Sequence, residues 1–215
     1  MNSFEYNFNK SVFINCPFDN DYQPMLRVLI FTVIECGFDP RIAIERSDSG
    51  EPRIKKIVSI LGSSKFSIHD ISRSESHVDG SLPRFNMPFE LGIDMGCREY
   101  GSTEHKSKCC LIVESKKYHY HKVISDISGS DIEIHNNEPI ELIKTIRDWF
   151  ATNGAPKVPL KKRIWDLYNE FLFYLAQRAQ ELGSNNGDIS EFTITEYIYH
   201  AHTYRADRLS KNSQD

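Results

Sequence analysis

Short β-rich runs alternate with stretches of helical periodicity between Ser11 and Glu114, and this order constrains the fold more than any other feature of the chain. Such alternation is buried best as a parallel sheet with crossover helices on its faces. Ser11 to Cys16, Pro40 to Glu45, Lys65 to Ile71 and Lys108 to Glu114 read as strands. Asp19 or Asn20 can cap a first helix, whose apolar residues Met25, Leu26, Leu29, Ile30, Val33 and Ile34 keep helical spacing until Gly37 stops it. A second helix carries Ile54, Ile57, Val58 and Leu61. A third begins at Asn86, a good N-cap residue, with Pro88 restricted to its first turn. The reading is an α/β fold: a flavodoxin-like, three-layer parallel sheet.

Beyond Glu114 the pattern weakens. Tyr118 to Ser128 has room for a short helix, Asp131 to His135 alternates like an edge strand, and Glu138 to Thr152 is helical. Gly154 to Pro159 reads as a linker, which places an α/β domain at residues 11–153 and an appended helical region at 158–211. Within that region Ile164, Leu167, Tyr168, Phe171 and Leu175 form a stripe at helical spacing, and Tyr197, Ile198, Tyr199 and Tyr204 crowd the last helix. A single sheet of this size needs few helices to cover it. The surplus aromatic surface therefore predicts a homo-oligomer through the last two helices, with fold-back over the sheet as the alternative.

Composition narrows the functional classes. The 215 residues carry a net charge of −4, which argues against direct nucleic-acid binding, since that usually leaves a basic footprint. No apolar run is long enough to span a bilayer, and Met1 to Lys10 lacks the pattern of a secretory signal. The five cysteines form no C-x-x-C pair and mostly fall in apolar runs, as reduced thiols of a cytoplasmic protein do. There is no G-x-G-x-x-G, no P-loop and no G-x-S-x-G. The pairs His119/His121 and His200/His202 lack a linked cysteine or acidic ligand at metal spacing and read as solvated histidines.

Three strand-end loops are expected to converge on one crevice, where open α/β sheets bind ligands. They supply Asn15, Phe18 and Asp19 from the first, Asp48 from the second, and Asp70 and Arg73 from the third. Arg84, Asn86 and Glu90 approach from the start of the third helix. Helical side chains lean toward the N-terminus, so the Glu90 carboxylate points back to the strand ends. Glu90 serves either the helix start or a site, and a capping box would need the acid one position earlier. Asp70 is equally open between a turn cap and a site residue. Arginines suit phosphate and separated carboxylates suit ribose hydroxyls or an oxocarbenium-like centre.

The order strand, His69-Asp70-Ile71-Ser72, loop, Asn86-x-x-x-Glu90-Leu91-Gly92, helix, apolar strand resembles the nucleoside 2-deoxyribosyltransferase superfamily. It also resembles the related TIR-like nucleotide-binding proteins of bacterial defence loci. The likeness covers about residues 11–115 and implies a nucleoside, nucleotide or NAD as substrate or ligand, with no further cofactor. It also implies Glu90 as nucleophile or oxocarbenium stabiliser, Asp70 in contact with substrate, Asn86 on the ribose side, and a role in antiphage defence. Bulky Phe85, Met87, Pro88 and Phe89 beside Glu90 leave a second use open, a non-catalytic sensor or scaffold that binds a nucleotide signal. A pure interaction domain is the third.

Overall fold

The structure is a computed structural model that describes residues 7–45, 47–72, 85–155 and 157–212. Five parallel strands, β1 (Ser11–Asn15), β2 (Asp39–Arg41), β3 (Phe66–Asp70), β4 (Cys109–Glu114) and β5 (Ile132–Ile134), form one sheet in the order β2-β1-β3-β4-β5. The helices α1 (Gln23–Glu35) and α4 (Pro139–Asn153) cover one face, and α2 (Arg53–Gly62) and α3 (Asn86–Tyr100) the other. This is the expected three-layer α/β arrangement. Strand order reverses between β1 and β3, the switch point where such sheets open a crevice.

Several boundaries moved for identifiable reasons. β2 stops at Arg41 because its guanidinium folds back on Glu45, Nε to Oε2 at 2.9 Å, and draws residues Ala43–Glu45 into a 3-10 turn. The first helix opens with a 3-10 turn, Asn20–Tyr22, on the Asp19 carbonyl, which accepts from the Tyr22 and Gln23 N–H groups at 2.9 and 3.1 Å. Asn86 is not the cap of α3. The chain is already helical at Phe85 (φ −73°, ψ −12°), whose carbonyl accepts the Phe89 N–H at 3.0 Å. Asn86 is thus the first helical residue, exposed and without a capping hydrogen bond. Tyr118 to Ser128 holds two 3-10 turns in place of one helix.

The C-terminal helices α5 (Lys161–Glu181) and α6 (Ile194–Asn212) share one apolar core with α1 and α4. Every residue of α1 from Met25 to Glu35 is buried, because the sheet covers one side and α5 and α6 the other. Phe171 stacks on Phe31 at 5.1 Å and meets Tyr197 edge-on at 5.3 Å. The Tyr197 hydroxyl donates to the Arg27 carbonyl at 2.9 Å, and Arg208 pairs with Glu35 at the other end of α1. Gly154 lets the connection turn beside the sheet, since a Cβ there would stand 3.0 Å from the Phe66 ring. The apolar stripe of α5 therefore packs within the chain, while Leu160, Phe173 and Leu182 of the α5 region and Tyr199 of α6 stay exposed. Among the described residues no helix is long and apolar enough to cross a membrane.

Because α1 is buried on both sides, the C-terminal helices are part of the folding unit. Tyr197→Ala is expected to cost about 3–5 kcal/mol in urea unfolding, as for other large core aromatics. A chain ending at Gly154 is expected to lose its cooperative transition; a sharp transition with native near-UV circular dichroism would contradict this.

Candidate functional site

The site is built around the end of β3, which carries polar side chains on both faces although Ser67, His69 and Asp70 are all fully buried. On the α3 face, Asn15 at the end of β1 donates one amide N–H to the Met87 carbonyl at 2.8 Å. That bond fixes the amide orientation, so the contact from Asn15 Nδ2 to His69 Nδ1, 2.9 Å, has the imidazole as acceptor. The ring proton then lies on Nε2, which donates to Asp94 Oδ2 at 3.0 Å. Asp94 also accepts from Ser67, and its other oxygen lies 3.2 Å from the buried Lys108 ammonium. Lys108 in turn donates to the Leu61 carbonyl at 2.9 Å and to the Ser64 carbonyl. Burial alone would raise the Asp94 pKa, but the hydrogen bond from His69, with the Lys108 charge and the Ser67 hydroxyl, brings it down to about 2.

On the opposite face Asp70 is enclosed just as fully. One oxygen accepts from the Tyr22 hydroxyl and lies 3.0 Å from His135 Nε2; the other accepts from the Ser72 N–H at 2.9 Å and from its hydroxyl. Burial works against ionisation, and the hydrogen bonds from His135, Ser72 and Tyr22 outweigh it and hold the carboxyl below its usual value. His135 Nδ1 accepts the Asn137 N–H at 3.1 Å, so Nε2 faces both Asp70 and the Ser72 hydroxyl, the latter at 3.0 Å. A serine-nucleophile triad needs acid and serine on opposite ring nitrogens, so this cluster is not one.

Glu90 differs from both. One helical turn before Asp94 on α3, it is 5 % exposed, yet among the described residues no hydrogen bond reaches its carboxylate. Among the described residues the nearest charge is the Arg53 guanidinium, 4.0 Å away at the start of α2. Burial pushes the Glu90 pKa up, and Arg53 opposes that shift without cancelling it. The buried Cys16 thiol, just past β1, is raised first by burial and then by the charges of Asp70 and Glu90, which places all three groups around the switch point.

The other expected residues are distributed as follows. Asn15 is buried, with its amide nitrogen engaged. Phe18 packs against the α1 core, and Asp19 opens the turn before α1. Asp48 is exposed and accepts the Gly50 N–H at 2.8 Å in its own turn. Phe85 and Phe89, 55 % and 60 % exposed, face solvent, and Met87 packs into the core under β3, so among the described residues this bulky run does not cap Glu90. Arg73 and Arg84 lie outside the described residues. Sequence reasoning missed Arg53, Tyr22, Asp94, Lys108 and His135. Arg53 alone left a signal, because a cation in the first turn opposes the helix dipole and needs another reason to be there.

Among the described residues, one cluster, His69, Asp94 and Cys110, has ligand atoms within 4.8 Å of one another. It does not fit a metal. The Lys108 ammonium already supplies the positive charge at Asp94, and burial pushes the Cys110 thiol up to about 12, far from the thiolate a metal needs.

These shifts have opposite consequences for stability. The folded Asp94 value lies below its ordinary 3.8, so its contribution, about 2 kcal/mol, is present above 3.8 and lost as pH falls through about 2. Asp94→Ala, which strands a buried lysine, is expected to cost about 3–5 kcal/mol at neutral pH in denaturant titrations. The Glu90 value is raised, so its contribution is present below its ordinary 4.5 and lost as pH rises through the folded value. Glu90→Gln is therefore expected to melt above wild type at pH 7.5, with the gap closing below pH 4.5. An equal or lower melting temperature at pH 7.5 would mean that the carboxylate is solvated or paired. No family model, curated protein or solved structure matches this chain, so its own residues carry the functional reading.

Proposed function

We propose that the protein cleaves or transfers the N-glycosidic bond of NAD or of a nucleotide or nucleoside, with Glu90 facing the anomeric carbon. The observation that carries this reading is a buried carboxylate at the β1/β3 switch point that has no hydrogen bond among the described residues. Perturbed, unsatisfied carboxylates in a crevice are poor for stability and suited to chemistry. As the bond from sugar to base breaks, its electron pair leaves with the base nitrogen and positive charge grows on the sugar. A desolvated carboxylate regains more from that developing charge than a hydrated one does, because little water competes for it. Either ion pairing or covalent attack at the anomeric carbon uses the same ionised Glu90.

The surrounding residues position it. Asn15 and Asp94 tie α3 to β1 and β3 on either side of Glu90 in sequence, and Asp70 fixes the strand end across the sheet. Arg53 favours the ionised form. A role in antiphage defence belongs to the same proposal and is tested by plaque formation on hosts that express wild type or Glu90→Gln.

Incubation with NAD and a nucleoside panel, followed by chromatography for released base, is expected to show turnover that drops at least about 100-fold in Glu90→Gln. Turnover at the wild-type rate in Glu90→Gln, or none on any substrate, would defeat the proposal. Calorimetric binding of a nucleotide without product would identify a sensor instead. Activity needs ionised Glu90, so the acidic limb of the rate profile is expected above the ordinary glutamate range. Arg53→Gln is expected to move that limb to higher pH, because the cation that lowers the pKa is gone.

A further inference from the structure

Arg27 has no role in the crevice at Glu90. It lies on α1, is 9 % exposed, and among the described residues no carboxylate comes within ion-pair distance of it. Its guanidinium donates to the Ile189 carbonyl at 3.0 Å and stands 5.7 Å from the centroid of the Tyr197 ring. Nε is buried with no hydrogen-bond partner. The Asp188 carboxylate feels its charge but is fully exposed and accepts the Ser190 N–H at 2.8 Å. A buried guanidinium held by one carbonyl and a ring face is under-compensated, since buried charges are otherwise paired.

The same side chain lines a cavity of about 700 Å³ between the start of α1, α5 and the turn that leads into α6. That volume suits a small molecule. Tyr168, Leu172, Ile189 and Phe192 supply apolar and aromatic wall, and Gln23 and Ser190 are among its few polar members. The start of α6 brings no free donor at Thr193, whose N–H and hydroxyl both go to Glu196, at 2.8 and 2.7 Å. Among the described residues Arg27 is thus the only cation in the lining.

We propose that this cavity binds a small monoanion with an apolar body, an aromatic or aliphatic carboxylate whose charge meets Arg27 and whose body lies against Tyr168, Leu172 and Phe192. A single cation disfavours polyphosphates, and the wall gives a hydrated ion little to contact. Such a ligand touches α1, α5 and the turn before α6 together, and so strengthens the docking of the C-terminal helices on α1. The proposal is independent of the chemistry assigned to Glu90.

Titration calorimetry on the full-length protein with benzoate, phenylacetate and hexanoate, each beside its neutral amide, tests it. At least one carboxylate is expected to bind one to one, at least tenfold more tightly than its amide. Arg27→Met is expected to weaken that binding at least tenfold, Leu172→Trp to abolish it by filling the cavity, and Glu90→Gln to leave it unchanged. Should Arg27→Met fail to fold, the amide comparison and Leu172→Trp decide the matter. Failure of all three carboxylates to bind, equal binding of acid and amide, wild-type affinity in Arg27→Met or Leu172→Trp, or loss of binding in Glu90→Gln would overturn the assignment.

Discussion

A strand buried on both faces usually carries apolar side chains alone, because an unsatisfied polar group there costs as much as several good contacts return. β3 breaks that pattern. Ser67 and His69 point to α3, Asp70 points the other way, and all three are inaccessible to water. The arrangement is tolerated because the polar atoms of these side chains find partners across the fold: Asn15 from β1, Asp94 and Lys108 from α3 and the start of β4, Tyr22 from the turn before α1, His135 from the end of β5. Each partner comes from a different element. The two clusters therefore fix how strands and helices meet at the carboxyl end of the sheet, with a directional specificity that apolar packing does not provide.

That rigidity gives Glu90 its character. Asp94 and Met87 are tied to the strands one turn on either side, so α3 cannot slide or rotate to bring Glu90 into water. The two neighbouring acids sit in different environments. Asp94 has a histidine, a lysine and a serine around it, which lower its pKa; among the described residues Glu90 has one guanidinium at 4.0 Å, and burial raises its pKa. Among the described residues Asp70 and Asp94 are held by hydrogen bonds and Glu90 is not, so the fold has retained a locally unfavourable group there, which is the usual mark of a site where function and stability compete.

The C-terminal helices extend the same argument to the other face of the sheet. α1 is apolar around most of its circumference and is stable only as a helix covered on all sides. Covering it with α5 and α6 closes one core through four helices. It also encloses Arg27, the one basic residue of α1, which becomes a buried charge facing a cavity.

Alternation and periodicity in the sequence determined the strands, the main helices and the parallel α/β class, because these depend on local spacing and on turn residues such as Gly37. The sequence also singled out Glu90, since a carboxylate one turn into a helix after a strand has few places to point. It could not show that Asn86 lies inside the helix, because backbone entry at Phe85 decides that. Nor could it show that the aromatic stripe of α5 packs against α1 within the same chain; the stripe reads identically whether its partner is another copy or a helix more than a hundred residues earlier. Tertiary structure alone joined Asn15, His69, Asp94 and Lys108 into one network, and Tyr22, Asp70 and His135 into another. Those residues are distant in sequence and unremarkable in type. What makes them matter is desolvation, which appears only when the sheet and its helices close over them.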